Sequence, residues 1–146
     1  MRPAGAVGAE HLRLEINMAN VTELRIALTV TDFGQALAFY RDTLGLEQIA
    51  DWSSETGQVV VLGAGRATLE LLDHAQAETV DAIEAGRRVS GTVRLAMNVA
   101  DSEDMARRLV AVGAVQVAPP VRTPWADRNA RVQTPEGMQL TLFTPE

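Results

Sequence analysis

The sequence predicts an α+β fold made of two tandem βαβββ modules, and three observations support this prediction. RIALTVTD at residues 25–32 returns in altered form as RLAMNVAD at 94–101. A helical segment and three strand-like segments follow each copy, in the same order. Near the end of each half, LEL at 69–71 matches LTL at 140–142. A chance repeat would not keep its register across four elements, so the two halves are expected to fold alike.

The first module is predicted to span about residues 22–73. Between residues 24 and 30, apolar residues alternate with polar or small ones, which is the period of a half-buried strand. Asp32 then occupies an N-cap position before FGQALAFYRDTLG, where apolar residues have helical spacing and Gly45 ends the helix. Turn signals separate the three strands that follow, which are predicted at 46–52, 58–63 and 67–73.

The second module is predicted to span about residues 92–144. Its first strand is VRLAMNV, Asp101 is the cap, and SEDMARRLVAVG is the helix. The TPEG turn at 134–137, with Pro second and Gly fourth, predicts a hairpin. The remaining strands are expected at 114–120, 129–133 and 138–143.

Two further segments complete the predicted organisation. Residues 74–91, with weak helical character around 77–85, are expected to link the modules. Residues 1–20 are expected to form an N-terminal extension that need not be ordered, which leaves one domain at 21–144.

Composition excludes several classes of function. The chain has 146 residues, 47% hydrophobic and 22% charged, which suits one globular domain with a core. A net charge of −6 disfavours nucleic acid, and no apolar run approaches the roughly 18 residues that cross a bilayer. The protein is therefore expected in the cytoplasm, without a nucleic-acid or membrane partner. With no cysteine and only His11 and His74, a metal site would depend on carboxylates.

The paired modules resemble a known superfamily. ALAFYRDTLGLE at 36–47 and the closing W-x-D-R, T-P-E-G and L-T-L-F segments are similar to the vicinal oxygen chelate superfamily. That superfamily includes glyoxalase I, bleomycin resistance proteins and extradiol dioxygenases, and the likeness covers about residues 22–144. It implies curved mixed sheets that form cups, and a homodimer whose twofold pairing covers the sheet edges. It does not specify a reaction, because one fold serves many chemistries.

The resemblance also implies positions for metal ligands. Metal-using members hold a divalent ion on first-strand histidines and last-strand glutamates of the two modules. The matching positions here are Arg25, Glu70, Arg94 and Thr141. Only Glu70 is a plausible ligand, because a guanidinium stays protonated and has no lone pair to offer. These residues predict a member of the superfamily that uses no metal and no other cofactor.

The same positions are candidates for binding a small molecule. Strand alternation puts Arg25 and Thr29 on one face, with Arg94 and Asn98 on the counterpart. Arginines in a cup would suit a carboxylate, phenolate or enolate. An equal alternative is that both arginines extend from strand ends into solvent, and that Glu70 is the salt-bridge partner of one of them.

Two tryptophans are further candidates. Trp125 follows Pro124 in a segment that borders the cavity in the family, where stacking on a ligand, core filling and a dimer contact are all open. Trp52 precedes the polar SSETG turn and is expected at a rim or interface.

Three hypotheses for function follow. The first is a metal-independent protein that binds a small, aromatic, anionic or neutral molecule, as drug-resistance members sequester their ligands. The second is a lyase, isomerase or dioxygenase-type enzyme in which arginines stabilise an oxyanionic intermediate, with Glu70 the one candidate base. The third is an interaction module without a ligand. The sequence contains no P-loop, no nucleophile elbow and no dinucleotide fingerprint.

Overall fold

The computed structural model describes residues 21–146, so the predicted extension at 1–20 lies outside the described residues. The strands are β1 (Val21–Val30), β2 (Glu47–Asp51), β3 (Val59–Ala64), β4 (Ala67–Asp73), β5 (Val93–Val99), β6 (Val115–Arg122), β7 (Asp127–Gln133) and β8 (Gln139–Pro145). The helices are α1 (Phe33–Leu37), α2 (His74–Ala85) and α3 (Ser102–Ala111), and a π-helical segment, Ala38–Thr43, continues α1. The predicted α+β class and the order of strand, helix and three strands are confirmed.

All eight strands belong to one mixed sheet, in the order β2-β3-β4-β1-β5-β8-β7-β6. Within each half, the first strand runs parallel to the last, as β1 to β4 and β5 to β8. The halves join through antiparallel pairing of β1 with β5, where Arg25 lies opposite Ala96 and Ala27 opposite Arg94. The strands that carry the four predicted metal-ligand positions are therefore the four central strands of the sheet.

One face of the sheet is covered by α1 and α3. Phe33 and Ala36 of α1 pack on Val60, Leu62 and Leu71 in the first half. The equivalent cluster under α3 contains Val99, Ala106, Ala130, Val132, Leu140 and Leu142. Since side chains alternate along a strand, the residues between these positions point to the opposite face.

Side chains cap both of these helices as the sequence predicts. Asp32 accepts a hydrogen bond from the Gln35 amide at 2.9 Å, and Asp101 accepts one from the Asp104 amide at 3.0 Å. The predicted helix at 33–45 differs in its second half, where the Leu44 amide donates to the Phe39 carbonyl, five residues back. This wider turn is a π-helix, and it ends before Gly45 at φ 78°.

The interval between the halves is more regular than predicted, because most of it is α2. Asp73 caps this helix by accepting from the Gln76 amide at 2.8 Å, and Gly86 ends it at φ 76°. Val80 packs on Ala27 and other buried residues of the second sheet face. Helix α2 thus covers part of that face, and it begins three residues before the weakly helical stretch that the sequence shows around 77–85. No helix within residues 21–146 is long and apolar enough to span a membrane.

Candidate functional site

A cavity of about 760 Å³ lies between the second face of the sheet and α2. The central strands form its floor, α2 forms one wall, and segments around 52–56 and 124–125 border it. Six of the seven predicted ligand-binding residues line it, namely Arg25, Glu70, Arg94, Asn98, Trp125 and Thr141. Its volume is in the range of pockets that enclose small molecules, about 300–1,000 Å³.

Thr29 is the exception. It lies four residues along β1 from Arg25, beneath α2, and borders a separate small cavity with Ala27, Leu72 and Ala77. Helix α2 covers this end of the strand, so the predicted role of Thr29 in the larger cavity is not supported by its position.

Arg25 is held by an ion pair and two aromatic rings. Its Nε and Nη2 donate to Glu23 Oε2 at 3.1 and 2.9 Å. The guanidinium carbon lies 5.1 Å from the ring centroids of both Trp52 and Phe143, within the range of cation–π attraction. The hydrogen-bonded partner of Arg25 is therefore Glu23, not Glu70, and its charge is locally balanced.

Arg94 has a different environment. It is 6% exposed, and within residues 21–146 its side chain makes one hydrogen bond, from Nη1 to Thr141 Oγ1 at 2.8 Å. No carboxylate in that range forms a salt bridge with it. A buried charge is costly unless it is paired, so Arg94 is the cation of the cavity best placed to bind an anion.

Glu70 faces the same cavity from β4, where it is 8% exposed and makes no side-chain hydrogen bond to any residue in the described part of the chain. Removal from water raises its pKa above the ordinary value, although the charges of Arg94 and then Arg25 oppose the shift. Its neighbour across the strand pair is the apolar Val61. An unpaired carboxyl group with a raised pKa can take up and release a proton.

A buried polar network lies behind Arg94. Thr141 Oγ1 accepts hydrogen bonds from Arg94 and from Arg131 Nε, at 2.8 and 3.1 Å, and lies 3.0 Å from Glu84 Oε1. Because both guanidinium groups can only donate, the one hydroxyl proton of Thr141 goes to Glu84. Arg94 is therefore tied through Thr141 to helix α2.

Arg131 connects this network to a second carboxylate of α2. Its side chain is fully buried and donates to Glu84 Oε1 at 2.8 Å and to Asp81 Oδ1 at 3.0 Å. Burial acts to raise the pKa of Asp81, but hydrogen bonds from Ser90, the Val89 amide and Arg88 outweigh it and hold that pKa well below its usual range. These ion pairs fasten α2 to β7 and position the cavity wall.

Several lining residues are outside the sequence predictions. Phe143 shares a strand face with Thr141, so alternation in LTLF was a usable signal. Trp52 lies at the rim, 51% exposed, in agreement with its expected place. Nothing in the local sequence marks Glu84 or Asn129 as cavity residues, because they are held by a hydrogen bond to each other across a long sequence separation.

The four positions that metal-using relatives employ do come together, but they do not fit a divalent cation. Arg25 and Arg94 cannot coordinate one, and the Thr141 hydroxyl is already bonded to three partners. In the part of the chain that the structure describes, no three His, Asp or Glu side chains group so as to hold a metal.

Comparisons with known proteins agree with this fold. The model of the Glyoxalase/Bleomycin resistance protein/Dioxygenase superfamily matches residues 24–142. No curated protein matches the chain.

Three solved structures illustrate the likeness, and at their identities it shows the fold alone. A hypothetical protein from Bacillus halodurans is 18% identical, with a TM-score of 0.63, over 84% of this chain and 92% of that one. Methylmalonyl-CoA epimerase from Mycobacterium tuberculosis is 21% identical, with a TM-score of 0.62, over 88% and 91%. A glyoxalase/bleomycin resistance protein/dioxygenase superfamily member from Vibrio splendidus is 17% identical, with a TM-score of 0.58, over 84% and 97%.

Proposed function

Because the chain belongs to the Glyoxalase/Bleomycin resistance protein/Dioxygenase superfamily, we propose that it is a metal-independent, cytoplasmic binding protein for a small aromatic molecule, anionic or neutral, such as a drug or metabolite that it sequesters. One observation carries the proposal: Arg94 is buried in a cavity of suitable size and has no carboxylate paired with it among residues 21–146.

The charge of Arg94 favours an anionic oxygen in the ligand. A hydrogen bond to a charged group contributes about 1.5 to 3 kcal/mol, more than one between neutral groups. Arg25 contributes less, because Glu23 already occupies its Nε and Nη2.

The walls of the cavity favour an aromatic body. The rings of Trp52, Trp125 and Phe143 and the side chains of Val80 and Ile83 line it. Flat apolar groups stack favourably on such rings. A benzene ring that carries a carboxylate is therefore the simplest probe of both features.

Calorimetric titration with benzoate, benzyl alcohol and benzylamine tests this function. Benzoate is expected to bind more tightly than the alcohol, and the alcohol more tightly than the amine, because the amine places a cation beside Arg94. The proposal fails if benzoate does not bind, or if benzylamine binds as well as benzoate.

Metal independence has its own test. Protein purified without a chelator is expected to contain no stoichiometric divalent ion, because the donor set of two guanidinium groups, a hydroxyl and one carboxylate does not suit one. Elemental analysis measures this directly. Stoichiometric zinc, nickel, manganese or iron that is lost in Glu70→Gln would contradict the proposal.

A second candidate function is an isomerase, lyase or dioxygenase-type enzyme that acts on an enolisable or oxyanionic substrate. Glu70 favours it, because its carboxyl group is unpaired, has a raised pKa and shares the cavity with Arg94. One of the similar structures is an epimerase. Glu70 would take a proton from the carbon next to a carbonyl, Arg94 would stabilise the resulting enolate oxygen, and the proton would return to that carbon.

Solvent deuterium exchange distinguishes this candidate from simple binding. An enzyme of this kind should make the protons next to the ketone of phenylpyruvate exchange faster than they do without the protein, and Glu70→Gln should abolish the acceleration. If phenylpyruvate binds but its exchange is not accelerated, the binding function stands and Glu70 is excluded as a base for this substrate.

A further inference from the structure

Asn129 presents a buried acceptor without a donor. It lies on β7 among the residues that line the cavity, and it is 4% exposed. Its Nδ2 donates to Glu84 Oε2 at 3.0 Å. Its Oδ1 is buried and has no hydrogen-bond partner in residues 21–146. Nearly all buried polar atoms in folded proteins are bonded, so this atom calls for a donor from another molecule.

Glu84 determines which way this amide faces. A carboxylate only accepts hydrogen bonds, and Glu84 is ion-paired with Arg131 through its other oxygen. A reversed Asn129 amide would place its oxygen against the carboxylate, with two acceptors in contact. The NH₂ group must therefore face Glu84, and Oδ1 is left as the acceptor without a partner.

Glu84 also constrains Thr141, the hydroxyl group that holds Arg94. It receives the only proton of Thr141, so the lone pairs of that hydroxyl are left for Arg94 and Arg131. Thr141 anchors Arg94 through Nη1, and the remaining N–H groups of that guanidinium make no hydrogen bond within the described chain. One carboxylate on α2 thus holds a donor at Arg94 and an acceptor at Asn129.

We propose that the ligand carries two polar groups, an anionic oxygen that binds Arg94 and a hydrogen-bond donor, such as a hydroxyl, that binds Asn129 Oδ1. In this arrangement Glu84 is a positioning residue, and Asn129 decides between ligands that donate and ligands that do not. The inference rests on the proposed binding function and narrows it to hydroxylated or amino-substituted aromatic acids.

Calorimetric titration with benzoate, the three hydroxybenzoates and the matching methoxybenzoates tests this inference. A methoxy group is also polar, but it has no proton to donate. At least one hydroxybenzoate is expected to bind about five- to thirtyfold more tightly than both benzoate and its methoxy counterpart.

Three variants assign that preference to Asn129. Asn129→Leu is expected to remove the preference, so that each hydroxybenzoate binds no more tightly than its methoxy counterpart. Glu84→Gln tests the same point while Asn129 keeps its amide. The Asn129 amide is then free to turn, so the preference for hydroxybenzoates is expected to fall. Gln139→Leu is the matched control, because Gln139 is also a buried amide with an unpartnered oxygen but does not line the cavity. Its preference should equal that of the parent.

The outcomes separate this inference from the proposed function. If benzoate binds through Arg94 but every hydroxybenzoate matches its methoxy counterpart, the inference is overturned and the binding function stands. A preference that persists in both Asn129→Leu and Glu84→Gln also overturns it. If none of the benzoates binds the parent protein, the proposed function itself fails.

Discussion

Arg25 and Arg94 occupy matching positions in the first strands of the two halves, β1 and β5, yet their environments differ. Arg25 is ion-paired with Glu23 and lies between two aromatic rings. Arg94 is more deeply buried, and its bond is to the neutral Thr141 hydroxyl. The repeated segment therefore reproduces the backbone position of each arginine but not its electrostatic state.

The last strands of the two halves differ in a complementary way. Glu70 in β4 lies opposite Val61, and its counterpart Thr141 in β8 lies opposite Arg131. Glu70 thus has an apolar neighbour and makes no salt bridge within residues 21–146, whereas the neighbour of Thr141 is an arginine that is ion-paired with two carboxylates of α2. In this chain, the polar contacts at each of these two positions therefore differ with the residue on the neighbouring strand.

The largest expected effect comes from removing Arg131. Arg131→Met leaves Asp81 and Glu84 buried without this partner, and such losses cost about 3 to 5 kcal/mol of unfolding free energy. Urea denaturation measures the change. Adding Asp81→Asn and Glu84→Gln should recover part of it, because neutral amides are less costly to bury. A loss below about 1 kcal/mol would mean that α2 does not depend on this contact.

The next effect tests the two arginines directly. Arg94→Ala is expected to weaken benzoate binding about ten- to a hundredfold and to leave benzyl alcohol nearly unchanged. Arg25→Ala is expected to weaken benzoate less than about threefold, because Glu23 already neutralises that charge. Equal losses from the two variants, measured by calorimetry, would remove the distinction between the halves.

A smaller effect concerns Glu70. Its charge opposes an anionic ligand, so Glu70→Gln is expected to bind benzenesulfonate roughly fivefold more tightly at pH 8, from about 1 kcal/mol of repulsion. The raised pKa makes Glu70 neutral at a higher pH than an ordinary glutamate. As the pH falls, the affinity of the parent should therefore rise toward that of the variant. A sulfonate stays ionised throughout, so a gap that closes only at the pH where an ordinary glutamate takes up its proton would argue against a raised pKa.

The raised pKa of Glu70 also makes the free energy of unfolding depend on pH, in the direction opposite to the effect of Asp81. A raised carboxyl pKa contributes stability that is present at low pH and is lost as the pH rises through the folded-state pKa. Glu70→Gln should therefore be more stable than the parent at neutral pH, with a gap that closes in acid. The lowered pKa of Asp81 contributes stability at neutral pH, and this contribution is lost as the pH falls.

Much of the fold was accessible from the sequence, because strand alternation and capping residues are local signals. Asp32 and Asp101 cap the helices as predicted, and the TPEG turn closes with a Gly137 amide to Thr134 carbonyl bond of 2.9 Å. The repeat also predicted matching positions for Arg25 and Arg94, and both residues line one cavity. Glu84 could not be placed, since its burial depends on Arg131, 47 positions away.

The smallest effect on ligand affinity is expected from substitutions at the outer edge strands of the two halves. We expect a homodimer, because within residues 21–146 no further strand pairs with the outer edges of β2 and β6. Ile49 in β2 and Val115 in β6 are exposed, as are Phe39 and Leu44 in the segment before β2 and Val112 in the segment before β6. Ile49→Asp should dissociate the dimer more than Val115→Asp, with benzoate affinity changed less than about twofold since Ile49 does not line the cavity. Sedimentation of the parent as a monomer at micromolar concentration would refute the dimer.

The placement of the indole side chains has a practical consequence. The chain contains two tryptophans, and both Trp52 and Trp125 line the cavity. Indole emission responds to nearby charge and to loss of water, so a compound that enters should alter the intrinsic fluorescence of the unlabelled protein. Trp52 lies against Arg25, whereas Trp125 lies in the segment before β7. Trp52→Phe and Trp125→Phe would therefore give two single-reporter proteins, and a compound library screened against both would identify ligands and the tryptophan whose emission each one alters.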